Sequence, residues 1–438
     1  MFIKRIYITI ILSVLLSSMA VAQVQFESFE QLWEMTVKQN PTLATYRLNI
    51  KIAKDNYRAS KSFLLPSISA SASGQDNLKL QQTVVGGSLA GQAEETLTLG
   101  SRYSYSAGLT GNYTLFNWQT ITESRQAKNA VQLQESQEAY YLQTLKNMAA
   151  SLYYQTLVSL KALEITRKDL AFSDTLVHLA TEKYAEGSIS LIDLNQSKIN
   201  YNQIAQNAIA SENLYEGNIS QLKILLGLQV DDTIIINERL PEKIETTDFQ
   251  LGKNKQLDTY ARMVKDAEYT FKVQKSVNIP VLSFFAYYGG DQFQNKLKAF
   301  SFKSSQWHRQ EYIGLSLSAS LFSGLYDLNK MKAAGKNVEL AQTQLEIAAQ
   351  ESAINDRLLL DEIVRNGAST QKASEAFFLY RENLNLYHIQ YSEGVIALNT
   401  FLVYFQNYLI TENAYFTQLS NYYNNLSVVI SRNDIFTK

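Results

Sequence analysis

The sequence predicts a mainly helical fold with a membrane β part, built from two internal structural repeats. Three observations carry that expectation. The text repeats itself: Asn40 to Pro66 reads NPTLATYRLNIKIAKDNYRASKSFLLP, and 214 positions later Asn254 to Pro280 reads NKQLDTYARMVKDAEYTFKVQKSVNIP. Asn40, Leu43, Thr45, Tyr46, Lys51, Ala53, Lys61, Ser62 and Pro66 all recur at that offset. A unit of this length is far longer than a solenoid repeat, so the pattern describes one fold made of two halves. Two long runs, from about Thr120 to Gly187 and from about Asp327 to Gly394, contain no proline. At 1.5 Å per residue each would reach roughly 100 Å as a helix. After Pro66 and again after Pro280, the period of the apolar residues switches to two.

The N-terminus comes first in order. Lys4 and Arg5 form a basic start, Ile6 to Leu16 an apolar core, and Ala20-Val21-Ala22 a small-x-small site before Gln23. This reads as a secretory signal peptide over 1–22, with an apolar core too short to span a bilayer. No later segment approaches the ~18 consecutive apolar residues that a spanning helix needs. There is no cysteine, which excludes disulfides, thiolate metal sites, cysteine nucleophiles and a cysteine-linked lipid anchor. Without Lys4 and Arg5 the chain carries 38 basic and 41 acidic residues. That near balance gives no footprint for nucleic acid or another polyanion.

Phe26 to Ser62 reads as helix, with Asn40-Pro41 as either a kink or the start of its main segment. Ile68, Ala70, Ala72 and Gly74 then alternate with serines at 67, 69, 71 and 73. Thr83 to Gly100 reads as a flexible loop of small and polar residues. Alternation resumes from Tyr103 to Leu115. In the second half, Leu282, Phe284, Ala286 and Tyr288 follow Pro280, and Ile313, Leu315, Leu317, Ala319 and Leu321 alternate with glycine and serine. One face is apolar with tyrosines towards the ends, and the other is mostly Ser, Gly and Thr. A soluble sandwich would also give one apolar face. Two isolated hairpins in an exported chain fit a transmembrane barrel wall better.

Four strands cannot close such a barrel, because an open edge in lipid leaves backbone groups unpaired. The barrel must be shared between chains: two copies give eight strands, three give twelve. The helices add a second constraint. Leu142, Ala149, Thr156, Leu163, Leu170, Val177 and Tyr184 recur every seven residues, beside a companion row of Leu145, Leu152, Ser159, Thr166, Ser173 and Ala180. Seven-residue repetition means coiled-coil packing, and the small residues permit close approach. Each long helix ends in a similar turn, Tyr184-Ala-Glu-Gly187 and Tyr391-Ser-Glu-Gly394, where glycine supplies a left-handed C-terminal conformation. Helices follow to about Leu226 and about Ser431. The expected organisation is thus repeat one at 26–226 with a hairpin at 67–116, a connecting segment at 227–253, and repeat two at 254–432 with a hairpin at 281–322.

With both halves placed, the chain resembles the TolC-type outer-membrane efflux proteins over essentially its whole mature length, 23–438. The residues carrying the resemblance are Leu64-Leu65-Pro66-Ser-Ile-Ser, the Leu115-Phe116 and Leu321-Phe322-Ser-Gly324 strand ends, and the paired Tyr-x-x-Gly turns. The resemblance implies a homotrimer in which long coiled-coil helices form a periplasmic α-barrel. Four strands per chain then contribute to a shared 12-stranded transmembrane β-barrel in outer-membrane lipid. It implies a passive conduit of a tripartite efflux pump or a type I secretion system, docked to a periplasmic adaptor (membrane fusion) protein and an inner-membrane transporter, with no cofactor.

In that family the helical tips close through a polar network. The resemblance places Asp193 and Tyr391 at the positions of a closing carboxylate and its phenolic partner, with Ile396 at the arginine position. Thr400 and Val403 stand where some members have rings of aspartates, and Tyr184, Gly187 and Gly394 fall in the adaptor-docking turns. Ser190-x-x-Asp193 is also a capping-box pattern at a helix start, and cap and gate are compatible roles.

The three histidines, His178, His308 and His388, lack metal-ligand spacing, and no HExxH, GxSxG or phosphate loop occurs. An enzyme is not expected. The alternative is an exported structural or filament-forming coiled-coil protein, which would not need a tall lipid-facing apolar band on two separated hairpins.

Overall fold

The computed structural model describes residues 23–85, 95–241, 244, 249–296 and 307–433. The expected signal peptide lies outside the described residues. In chain order the elements are β1 (Gln23–Phe26), α1 (Phe29–Gln39), α2 (Pro41–Ala59), β2 (Ser67–Asp76), β3 (Gln81–Val85), β4 (Glu95–Leu99), β5 (Tyr103–Phe116), α3 (Trp118–Ala185) and α4 (Leu191–Leu226). They continue with β6 (Thr233–Ile236), α5 (Lys255–Ser276), β7 (Val281–Gln294), β8 (His308–Ser318), α6 (Tyr326–Ser392) and α7 (Leu398–Arg432). The fold is mainly helical with some strands, as the sequence predicts. Among the described residues no helix is long and apolar enough to cross a membrane. The chain divides into two compact units. One comprises Met1–Asn49, Glu135–Thr259 and Glu346–Lys438, the other Ile50–Gln134 and Tyr260–Leu345.

The second unit holds a four-stranded antiparallel sheet in the order β2-β5-β7-β8. Its register aligns the alternating residues into two faces. Leu109 pairs with Ala70 and Tyr288, and Phe284 pairs with Tyr113 and Leu315. This apolar face is open: Ile68, Ile313, Leu315 and Leu317 are 75%, 77%, 67% and 72% exposed. The opposite face carries the serines, threonines and glycines, but also Phe285, Tyr287 and Tyr312, with the two tyrosine rings stacked at 5.1 Å. Glycine makes room for these rings. A Cβ on Gly108 would collide with Tyr287, and one on Gly314 with Phe285.

Two differences from the sequence reading have local causes. The segment read as a loop contains an antiparallel ladder, β3 with β4, pairing Gln81 with Leu99 and Thr83 with Leu97. The last strand stops at Ser318, short of Leu321-Phe322. Its final partner is Val281, and Pro280 before it has no N–H to extend the ladder. Leu321 is instead 95% exposed.

The first unit is helical apart from a two-stranded parallel sheet, β1 with β6, which aligns Phe26 with Ile236. Asn40 starts α2 rather than kinking one long helix. Its Oδ1 accepts the Leu43 N–H at 2.8 Å, and Pro41 occupies the first helical position, where a missing N–H costs nothing. Its Nδ2 donates to the Leu225 carbonyl at 2.8 Å, tying α2 to the end of α4. The seven-residue rows on α3 are covered over most of their length: Ala149, Thr156 and Leu163 are buried in one and Leu145, Ser159, Thr166, Ser173 and Ala180 in the other, Leu142, Leu152, Leu170 and Val177 are half-buried, and Tyr184 at the end is exposed. The buried hydroxyls bond carbonyls on their own helix (Thr156 to Leu152, Thr166 to Ala162), so small polar residues allow close packing without orphaned donors. Against α3 lies α7, with Tyr154 stacked on Tyr423 at 4.7 Å and Ser151 donating to Asn424 at 2.9 Å.

Candidate functional site

The paired turns at the ends of α3 and α6 are built the same way. Gly187 donates to the Tyr184 carbonyl at 2.9 Å, and Ser188 donates to that of Lys183 at 2.8 Å. Gly394 donates to Tyr391 at 3.1 Å, and Val395 donates to Gln390 at 2.8 Å. Gly187 and Gly394 have φ of +76° and +77°, the left-handed region that side chains with a Cβ rarely adopt. Both glycines are exposed, and Tyr184 is 41% exposed.

The helices that leave these turns start differently. Ser190 and Asp193 form a reciprocal capping box on α4. In the second repeat Ala397 and Thr400 occupy the equivalent places, and Ala397 gives α7 no side-chain cap. Thr400 and Val403 lie on the exposed face of α7, Val403 at 55%. Ile396 is half-buried and packs on the apolar core.

Tyr391 is only 2% exposed, with its ring stacked on Phe401 at 5.8 Å. Its hydroxyl is buried with no hydrogen-bond partner among the described residues. Burial, and secondarily the charge of Asp193, raise its pKa above the ordinary phenol value. No hydrogen bond joins Asp193 to Tyr391 within the chain, and Oδ2 of Asp193 accepts from Ser190.

Lys183 supplies a contact that the sequence reading missed. Its Nζ lies 5.1 Å from the Tyr391 ring centroid and 3.5 Å from the Tyr391 carbonyl oxygen, linking the end of α3 to the end of α6. A signal was available, since Lys183 directly precedes the repeated Tyr-x-x-Gly, where Gln390 stands in the other half. Among the described residues no group of three His, Cys, Asp or Glu side chains is placed to hold a metal ion.

The comparisons with known proteins agree with the mainly helical fold that the sequence predicts. Residues 32–228 match the family model described as outer membrane efflux protein. The Campylobacter jejuni CmeC outer membrane channel is similar with a TM-score of 0.75 at 16% identity, covering 92% of this chain and 85% of that one. The Neisseria gonorrhoeae MtrE outer membrane channel gives 0.70 at 16% identity, with 94% and 92% covered. The Vibrio cholerae outer membrane protein VceC gives 0.62 at 15% identity, with 92% and 93% covered. No curated protein sequence matches. The resemblance to the TolC-type outer-membrane efflux proteins is borne out. Proteins of that family are channels and not enzymes, in agreement with the absence of a catalytic constellation expected from the sequence.

Proposed function

We propose that the chain is one protomer of a homotrimeric outer-membrane efflux channel, a passive conduit from periplasm to exterior. The observation that carries this reading is the open β2-β5-β7-β8 sheet. Both of its edges, β2 and β8, lack a partner strand among the described residues, while its apolar face is exposed. In lipid such edges are costly, and three copies supply the twelve strands that remove them. Exposed apolar residues at seven-residue spacing, Leu340, Ile347 and Ile354 on α6 and Val403 and Ile410 on α7, suit helix contacts between copies. The match to the outer membrane efflux protein family and the likeness to outer-membrane channels support the same reading.

The helical turns then form the periplasmic tip, where Asp193, Tyr391, Ile396, Thr400 and Val403 surround the aperture. The exposed Tyr184, Gly187 and Gly394 turns meet a periplasmic adaptor, which couples the channel to an inner-membrane transporter of an efflux pump or type I secretion system. Native mass spectrometry of detergent-extracted protein tests the assembly. A trimer is expected, and a stable monomer with full β content would overturn the proposal.

A further inference from the structure

Outside the tip, one buried cluster has no part in the reading above. Asp169 on α3 is 7% exposed and Glu412 on α7 is 6% exposed, and the two buried carboxyls act on each other. The Tyr408 hydroxyl, one turn before Glu412, donates to both oxygens of Asp169 at 3.2 and 3.3 Å. Oε2 of Glu412 is buried with no hydrogen-bond partner among the described residues. Glu412 also lines a cavity of about 200 Å³ with Thr166, Asn207, Ser211 and Asn413. The charged and titratable groups facing the pair are few. Arg381 of α6 acts on Asp169 through its charge, Tyr408 lies on α7, α4 lines the cavity with the uncharged Asn207 and Ser211, and next to them Glu212 of α4 is paired with Arg167 of α3 at 2.6 Å. Farther along, Lys161 of α3 is engaged by the Tyr415 hydroxyl at 3.2 Å.

Two ionised carboxylates in contact inside a protein repel each other, and one guanidinium balances only one of them. A proton on Glu412 resolves both difficulties. It removes the second charge and gives the carboxyl pair a donor of its own beside the Tyr408 hydroxyl. We propose that Asp169 and Glu412 share one proton, and that this proton fastens the first helical hairpin (α3 and α4) to the second (α6 and α7). Loss of the proton leaves two facing charges across the α3–α7 contact and loosens it. Burial first, and the neighbouring Asp169 charge second, push Glu412 up to about 9, so the fastener is filled at neutral pH and empties in alkali. Any consequence for conduction rests on the channel reading, whereas the fastener itself does not.

The test therefore uses no channel readout. Infrared difference spectroscopy of the detergent-extracted protein should show a protonated carboxyl at neutral pH that titrates away near pH 9. That signal should be absent in Glu412→Gln. Spin labels at Lys168→Cys and Asn407→Cys, exposed positions on α3 and α7 in a chain without native cysteine, should report a broadened distance above that pH. The broadening should vanish when Glu412→Gln is added. In Asp169→Asn the Glu412 signal should titrate at lower pH, which provides an independent check where Glu412→Gln fails to fold. Two ionised carboxyls at neutral pH, or a label distance unchanged while the proton leaves, would overturn the proposal. So would a titration midpoint that moves with sodium concentration at constant ionic strength, since the cavity would then hold a cation in place of the proton.

Discussion

The carboxylate of Asp193 accepts hydrogen bonds from the Ser190 backbone N–H at 3.1 Å and from the Ser190 hydroxyl at 2.7 Å, while Ser190 Oγ accepts the Asp193 N–H at 3.2 Å. Within one chain this residue is therefore a helix cap before it is anything else. Asp193→Ala or Ser190→Ala should cost about 0.5–2 kcal/mol, the usual range for a lost cap. Thermal unfolding measures the loss, and hydrogen exchange should place it in the first turn of α4. Thr400→Ala, at the uncapped counterpart, should change neither. A higher single-channel conductance in Asp193→Ala with helix content unchanged would show that the carboxylate also holds the aperture in the assembly.

Tyr391→Phe removes a buried hydroxyl that has no partner among the described residues. An unsatisfied buried polar group typically costs about 1–3 kcal/mol, so this substitution should leave stability unchanged or raise it. Phe401→Ala, beneath the same ring, should lose about 3–5 kcal/mol. Denaturant unfolding separates the two. A marked loss in Tyr391→Phe would mean that the phenol finds a hydrogen-bond partner in a neighbouring copy.

The faces of the sheet make the third prediction. Leu315→Arg or Leu317→Arg on the exposed apolar face should destabilise the protein by about 2–4 kcal/mol if these residues meet the bilayer midplane. Ser316→Arg and Ser318→Arg, on the opposite face, should be tolerated better and alter conductance instead. Unfolding from lipid vesicles measures both pairs, and equal tolerance would mean that the strands do not face lipid.

Stability should also depend on pH through Glu412. Its pKa is raised on folding to about 9, so the folded state holds a proton that the unfolded chain releases above its ordinary carboxyl pKa. Stability contributed by this group is therefore full at acid pH and falls as pH rises to about 9, by at most about 1.4 kcal/mol per pH unit. Glu412→Gln should flatten that slope, as read from unfolding midpoints across the range.

Features of the fold that depend on local chemistry were legible in the sequence. Pro41 after Asn40, the glycines of the Tyr-x-x-Gly turns and the Ser190-x-x-Asp193 box each act within a few residues of themselves. Burial along the seven-residue rows of α3 could also be read, because period reports which face is covered. Features that depend on distant partners could not. Gln23–Phe26 is too short to stand out as a strand until Thr233–Ile236 lies beside it. Gln81–Val85 and Glu95–Leu99 were obscured by the small residues between them. No motif or period in the sequence marks Asp169 and Glu412, and only the packing of α3 against α7 brings them together and out of water.

Planar-bilayer recording shows whether copies of this chain close into a conduit. Detergent-extracted trimers should give discrete conductance steps of uniform size, and Ser318→Arg should change that size. Protein that inserts as trimers yet never conducts, with wild type and Ser318→Arg alike silent even after the tip is loosened by Asp193→Ala, would contradict the account.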